Sequence, residues 1–458
     1  MERIAPGPPK DLVFGHLRAM RSDTARFYVE AMQKYGDVVR LEFLNGPVHL
    51  LTHPDHVRRV LHEKKEEYVK KSPGLDKMKL LMGEGLVTST GDLWKKQRRT
   101  IQPLFHRDKI AVFAGVMIDA TREMLGRLDE IAARGEPFDL SEELTRATLR
   151  IVGEALLGAD VRGDSRAVSR AVTLLSHDMT ERMKSFFSFP LGVPTPKNRR
   201  FHGEMRVLFD LIGRIVRERR KDGTDRTDLL TLLMRAKDDE TGDRMSDQQL
   251  TDEVMTMFLA GHETVSSGLS WTFYCLAKNP RVRRSMHEEI DRVLGEREVV
   301  LADLDHLELT LRIVKESLRL YPPISHIPRR LTEADTLGGY AIPKGSLVVV
   351  SPYATHRHGA FWDNPEGFDP ERFLPEAEKK RPRYAYFPFG GGPRVCIGNA
   401  FSIIEMQIVV AMVAQRYEID LVPGYPVERE MLFTLRPSGS VRATLTRRPR
   451  PSAAGHQG

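Results

Sequence analysis

The stretch FPFGGGPRVCIGNAFSIIEM, residues 387–406, sets Cys396 between a glycine-rich, proline-broken loop and what reads as the first turn of an amphipathic helix. The chain holds one other cysteine, Cys275. Gly390, Gly391, Gly392 and Gly398 permit backbone conformations closed to other residues and let a flat ligand approach the main chain. The partial positive charge of a helix opening just past Cys396 favours thiolate over thiol, and backbone N–H groups around Gly398 can donate to the sulfur. Arg394 can offer a cation to an anionic ligand group. A thiolate held in this way suits an axial metal ligand. Two other readings stand beside it. A free cysteine often serves as a small buried hydrophobe. A glycine-rich loop before a helix can also cradle phosphate, although the Gly-Lys-Ser/Thr ending is absent here.

At 458 residues, 41% hydrophobic and 29% charged, the chain can bury a large core, and length alone predicts two or three domains. No window reaches the roughly 18 apolar residues of a membrane span. The N-terminal MERIAPGPPKDLVFG lacks an apolar signal core, so a cytoplasmic protein is expected. Nothing resembles a CxxC metal site or a disulfide framework. The net charge of +7 is spread along the chain rather than gathered in an arm, and no recognition motif accompanies it, so nucleic acid is not an expected partner.

Apolar residues at three- and four-residue spacing predict helices over 107–132, 139–158, 200–221 and 246–278. The last begins at a Ser246 cap and stops at Asn279-Pro280, and a helix of this length crosses the middle of a domain. DVVRLEFLNGPVHLLT predicts a hairpin around Asn45-Gly46, and ADTLGGYAIPKGSLVVVSP two or three further strands. Beyond residue 356 the text is loop-like. Without repeats or a convincing linker, one domain over 1–446 is expected, followed by a disordered tail at 447–458.

Phe389, Gly392, Arg394, Cys396 and Gly398 match the F-x-x-G-x-R-x-C-x-G signature of the cytochromes P-450. Upstream, AGHET (260–264) resembles the distal-helix [AG]-G-x-[DE]-T, ESLR (316–319) the E-x-x-R pair, FDPERF (368–373) the segment that follows it, and WKKQR (94–98) the W-x-x-x-R helix. The chain therefore resembles this family of haem-thiolate monooxygenases over roughly residues 5–445. The resemblance implies a mainly α fold: a helix-rich triangular prism with small β-sheets, and haem between the long distal helix and the cysteine loop.

On this resemblance Cys396 is the proximal ligand of haem b (iron protoporphyrin IX), and dioxygen is the co-substrate. Phe389 shields the sulfur, and the Gly398 region borders it. Ala260 and Gly261 lie over the macrocycle, where a mid-helix glycine leaves room for oxygen. Thr264 and Glu263 form the proton-delivery pair, Thr264 able to bond back to the carbonyl near Ala260. His262 is read as a helix-face residue. Trp94, Arg98, Arg394 and Arg329 meet the propionates, with Arg330 the alternative to Arg329. Glu316, Arg319 and Arg372 form a structural triad that locks the cysteine loop.

The family's substrate contacts correspond to 72–86, 174–193, 257–264, 323–327 and 431–435, stretches rich in apolar side chains that suit a hydrophobic small molecule such as a terpenoid, fatty acid, steroid or macrolide. Residues 183–200 read as a mobile lid. A ferredoxin or flavodoxin with its NAD(P)H-dependent reductase is the expected electron source, meeting a basic face of Lys95, Lys96, Arg99, Arg107, Arg312 and Lys315. The enzyme is expected to be monomeric. The alternatives are a peroxide-driven peroxygenase or isomerase, which the Glu263-Thr264 pair argues against, and a non-catalytic haem-binding sensor.

Overall fold

Ser246 accepts a hydrogen bond from the backbone N–H of Gln249, as its place before an apolar-periodic run predicts. From there one helix runs from Asp247 to Lys278 and stops where Pro280 would break it. In the computed structural model, which describes residues 3–11, 15–17, 20, 23–43, 46–158, 163, 165–184, 189–222, 226, 228–238 and 240–449, this helix is the axis of the molecule.

The helices that position the site are α1 (Gly91–Ile101), α2 (Ala114–Arg134), α3 (Leu140–Ile151), α4 (Ser165–Lys184), α5 (Pro196–Asp222), α6 (Asp247–Lys278), α7 (Glu308–Leu320) and α8 (Asn399–Arg416). Helix α6 packs on α3, α5, α7 and α8, and α2 on α3 and α8. The expected helix 107–132 is broken. A short turn, Arg107–Ala111, precedes α2 because Phe113 folds inward, its ring 6.0 Å from that of Phe401. Helix α8 is not amphipathic: every residue from Glu405 to Ala414 is buried, so it is a core helix.

Strands are β1 (Val38–Phe43), β2 (Gly46–Leu51), β3 (Tyr68–Val69), β4 (Phe138–Asp139), β5 (Ile327–Leu331), β6 (Asp335–Leu337), β7 (Tyr340–Ile342), β8 (Leu347–Val350), β9 (Tyr417–Leu421), β10 (Arg429–Met431), β11 (Leu435–Pro437) and β12 (Arg442–Arg447). One sheet runs β1–β2–β8–β5–β3, with β2 and β8 parallel and the other pairs antiparallel. Strand alternation divides its side chains between two cores. Val38, Leu51, Val348 and Val350 face Tyr384 and Phe387, which precede the cysteine loop. Val39, Leu41, Leu50 and Val349 face the helix Thr24–Tyr35. The expected Asn45-Gly46 hairpin joins β1 to β2, with residues 44–45 outside the described residues. Strands β4–β12–β9 and the hairpins β6–β7 and β10–β11 complete the set. Among the described residues no helix is long and apolar enough to cross a membrane.

Candidate active site

The cysteine loop is built on its own backbone. The Cys396 N–H donates to the Phe389 carbonyl at 2.9 Å, closing a tight loop around Gly390–Gly392. Gly392 has φ +65°, and a Cβ there would lie 1.8 Å from the Leu61 carbonyl oxygen, so glycine is obligatory. Gly391 (φ −165°) and Gly398 (φ −89°) adopt conformations open to any residue, contrary to expectation. At Gly398 an added Cβ would meet nothing within 4 Å, and its N–H lies near the Cys396 sulfur and favours its ionised form.

Cys396 is exposed, yet its surroundings are protein. It therefore faces an interior space rather than the outer surface. Burial pushes its thiol up, and the Gly398 N–H and the Arg98 guanidinium pull it down less strongly. The helix N-terminus thus does not by itself make a thiolate here; binding a cation would. Arg98 Nη1 donates to the carbonyl of Val395 at 2.9 Å.

Helix α6 supplies a second wall. It is buried without a break from Asp252 to Leu259 and again from Val265 to Phe273. Between them Ala260, Gly261, Glu263 and Thr264 are half-buried, whereas His262 is buried, with Nδ1 3.2 Å from the Phe258 carbonyl. A lapse of burial at the centre of a core helix marks the edge of an internal opening. Thr264 Oγ1 donates to the Ala260 carbonyl at 2.9 Å, as expected. Gly261 also has a close neighbour outside its own helix. A Cβ there would lie 2.9 Å from Val152 Cγ2, in the π-helical stretch Val152–Leu156 that follows α3, so the glycine makes room for a neighbouring helix.

Four cations gather beside the loop: Arg98, Arg329, Arg394 and Lys70, and none of them has a carboxylate partner among the described residues. Arg394 lies 4.1 Å over the Trp94 ring and donates to the Ser89 carbonyl. Burial lowers Arg329 and Arg394 each to about 10; Arg329, then Arg98, adds to the effect on Arg394. Lys70, whose ammonium donates to the Val87 carbonyl, falls to about 7 through burial and then the charges of Arg394 and Arg329. Arg330 is turned to the opposite face of β5 and donates to the Gly345 carbonyl. Sequence reasoning missed Lys70: it belongs to no motif, and only the fold brings it to Arg329 and Arg394. Desolvated cations without counter-charges call for an anionic ligand. With a soft sulfur donor in an interior space, these residues fit a flat, dianionic, metal-bearing group such as haem.

Behind the loop, Glu316 and Arg319 are fully buried and paired at 2.7 Å. Arg372 stands 3.5 Å from Glu316, and Arg319 also donates to the carbonyls of His356, Pro365 and Gly367. The expected basic face is largely neutralised. Lys95 pairs with Asp92, Lys96 with Asp243, Arg99 with Asp238 and Glu240, Arg312 with Glu371 and Lys315 with Glu378; the side chain of Arg107 lies outside the described residues. In the expected lid, residues 185–188 are outside the described residues. The flanks are tied by buried Arg182, which bonds Asp178 and Asn198.

The cytochrome P450 family model matches residues 5–443. Cyclooctatin synthase of Streptomyces melanosporofaciens is 37% identical, over 92% of this chain and 90% of its own length. Cyclooctat-9-en-7-ol 5-monooxygenase of the same organism is 34% identical over 90% and 88%. Pentalenene oxygenase of Streptomyces avermitilis is 32% identical over 95% and 96%. The crystal structure of the cytochrome P450DA heme domain superposes with a TM-score of 0.91 at 26% identity, covering 98% of this chain and 99% of that one. The chain belongs to the cytochrome P450 family and is a haem-thiolate monooxygenase, an oxidoreductase that uses dioxygen.

Proposed function

We propose that this enzyme hydroxylates or epoxidises a terpenoid-type hydrophobic small molecule, with haem b held through Cys396. The observation that carries the cofactor reading is the group of uncompensated cations beside the lone cysteine loop. Lys70, Arg98, Arg329 and Arg394, with Trp94, would hold the two propionates, Phe389 and the Gly398 backbone would lie against the sulfur side, and Ala260 and Gly261 would border the opposite face. When bound, the haem supplies oxygen activation, favoured by electron density from the thiolate.

The protein's own part is proton supply and positioning. Thr264 Oγ1, bonded to the Ala260 carbonyl, can turn toward the opening and hold a proton there, and Glu263 is the neighbouring acid. The terpenoid class rests on the names of the relatives and on the apolar character of 174–193 and 431–435, where Leu175, Met179, Leu432 and Leu435 are buried. Electrons come from a separate ferredoxin or flavodoxin with its NAD(P)H-dependent reductase, and the enzyme works as a cytoplasmic monomer with residues 1–446 as one haem domain.

The test is spectroscopic. The reduced, carbon-monoxide-treated holoprotein is expected to show the red-shifted Soret band of a thiolate-ligated haem, and Cys396→Ser to lose it. Titration with cyclic sesquiterpenes and diterpenes is expected to move the haem from low to high spin. Retention of the band in Cys396→Ser overturns the ligand assignment, and a spin shift with fatty acids or steroids only overturns the substrate class.

A further inference from the structure

Glu263 is gripped from outside its own helix. Its Oε1 accepts a hydrogen bond from Thr434 Oγ1 at 3.1 Å, and its Oε2 from Ser176 Oγ at 3.4 Å. Ser176 sits on α4, and Thr434 in the turn between β10 and β11. The two are 1% and 3% exposed, so bulk water does not compete for these hydroxyls. At 3.1 and 3.4 Å these are long hydrogen bonds for a hydroxyl on a carboxylate, so they orient the Glu263 side chain more than they stabilise it.

Neither partner is free to drift. Trp271 Nε1, on α6, donates to the Leu435 carbonyl at 3.1 Å, which fastens the turn carrying Thr434. Thr434 Oγ1 also lies 3.5 Å from Ser267 Oγ, one turn along α6 from Glu263. Nearer the surface, α4 and the β10–β11 hairpin meet again: Arg436 contacts His177 Nε2 at 3.1 Å and Glu430 at 3.5 Å. Three elements thus converge on one carboxylate.

We propose that Ser176 and Thr434 are positioning residues for proton delivery, holding the Glu263 carboxylate so that its orientation depends on how α4 and the β10–β11 turn sit against α6. This rests on the reading of Glu263 and Thr264 as the proton-delivery pair. The two hydroxyls donate hydrogen bonds and keep their protons; the delivered proton leaves the Glu263 carboxyl group and is replaced from solvent.

The holoenzyme carrying Ser176→Ala, Thr434→Val or both is compared with the parent and with Thr434→Ser. Two readouts are taken. The first is the Glu263 carboxylate band, isolated as the infrared difference against Glu263→Gln. The second is the solvent deuterium isotope effect on NADPH-driven oxygen consumption, with a plant-type ferredoxin and its reductase as electron source. In the double variant the band is expected to shift and the isotope effect to change at least twofold, whereas Thr434→Ser, which keeps both donors, is expected to match the parent in both. Should the double variant load haem poorly, Ser176→Ala alone is expected to give the same changes at smaller size. An unchanged isotope effect in variants whose carbon-monoxide complex matches the parent overturns the proposal. A parent lacking that complex, or consuming no oxygen, overturns instead the functional reading beneath it.

Discussion

His356 Nε2 accepts a hydrogen bond of 2.9 Å from the backbone N–H of Phe387, at the head of the loop that carries Cys396. The other ring nitrogen, Nδ1, lies 3.2 Å from the Arg319 carbonyl. The proton must therefore sit on Nδ1. One buried imidazole joins the Glu316–Arg319 pair to the cysteine loop, so a motif with no chemistry of its own helps set where the sulfur stands. Burial, reinforced by the Arg319 guanidinium, holds this imidazole neutral, well below the ordinary histidine range.

Replacing His356 with phenylalanine leaves the Phe387 N–H and the Arg319 carbonyl unpaired inside the core. A loss of about 2 kcal/mol or more is expected in chemical unfolding, with faster haem release. The folded protein resists protonating His356 while the unfolded chain takes a proton below its ordinary value of 6.5. The contribution is therefore present above pH 6.5 and lost as pH falls, and His356→Phe is expected to flatten that acid limb.

Two glycines of the loop should fail in different ways. Gly392→Ala combines a positive φ with a Cβ 1.8 Å from the Leu61 carbonyl oxygen, and is expected to destabilise the apoprotein by about 2 kcal/mol or more. Gly398→Ala has an ordinary φ and open space beside it. Its apoprotein is expected to melt within a few degrees of the parent, its defect appearing only as weaker haem loading.

Lys70→Met removes one of the uncompensated cations. Haem transfer to apomyoglobin is expected to quicken about tenfold, equivalent to about 1.4 kcal/mol of lost retention. Haem with both propionates esterified is expected to bind the parent poorly and to be hurt less by the substitution. Equal retention by parent and variant would show that the lysine faces elsewhere.

Glu253, on α6, accepts the Leu86 N–H at 2.9 Å, and burial raises it to about 8 from an ordinary 4.5, the Leu86 N–H opposing and the Asp252 charge adding. A raised carboxyl stays protonated in the folded protein while the unfolded chain ionises. Stability should therefore fall as pH rises from about 4.5 toward about 8, by up to about 1.4 kcal/mol per pH unit. Glu253→Gln, neutral throughout, is expected to remove this slope from denaturation curves taken across that interval.

Residues 237–238 and 240–244 lie over α1, with a bridge between Lys237 and Arg244, and present Asp243 to Lys96 at 2.7 Å and Glu240 to Arg99 at 2.6 Å. These exposed pairs add little to stability. They do offset charge that an acidic electron carrier would otherwise meet. Glu240→Gln with Asp243→Asn is expected to lower the Kd for a plant-type ferredoxin several-fold at low ionic strength and to steepen its salt dependence, measured by calorimetry. An unchanged Kd would place the contact away from α1.

Local chemistry carried much of this protein on its own. Ser246, Pro280 and the apolar spacing between them set the long helix, and the ten-position pattern around Cys396 identified the family, because capping, helix breaking and tight glycine turns depend on neighbours in sequence. Other features depend on groups far apart in the chain. Lys70 meets Arg329 and Arg394 only once β3 and β5 pair. Gly261 answers to Val152, Glu263 to Ser176 and Thr434, and the cations Lys96 and Arg99 of α1 to Asp238, Glu240 and Asp243. Whether a charge is free or paired, and what fills the space a glycine leaves, is decided by which distant surfaces the packed core brings into contact. Sequence spacing has no access to that.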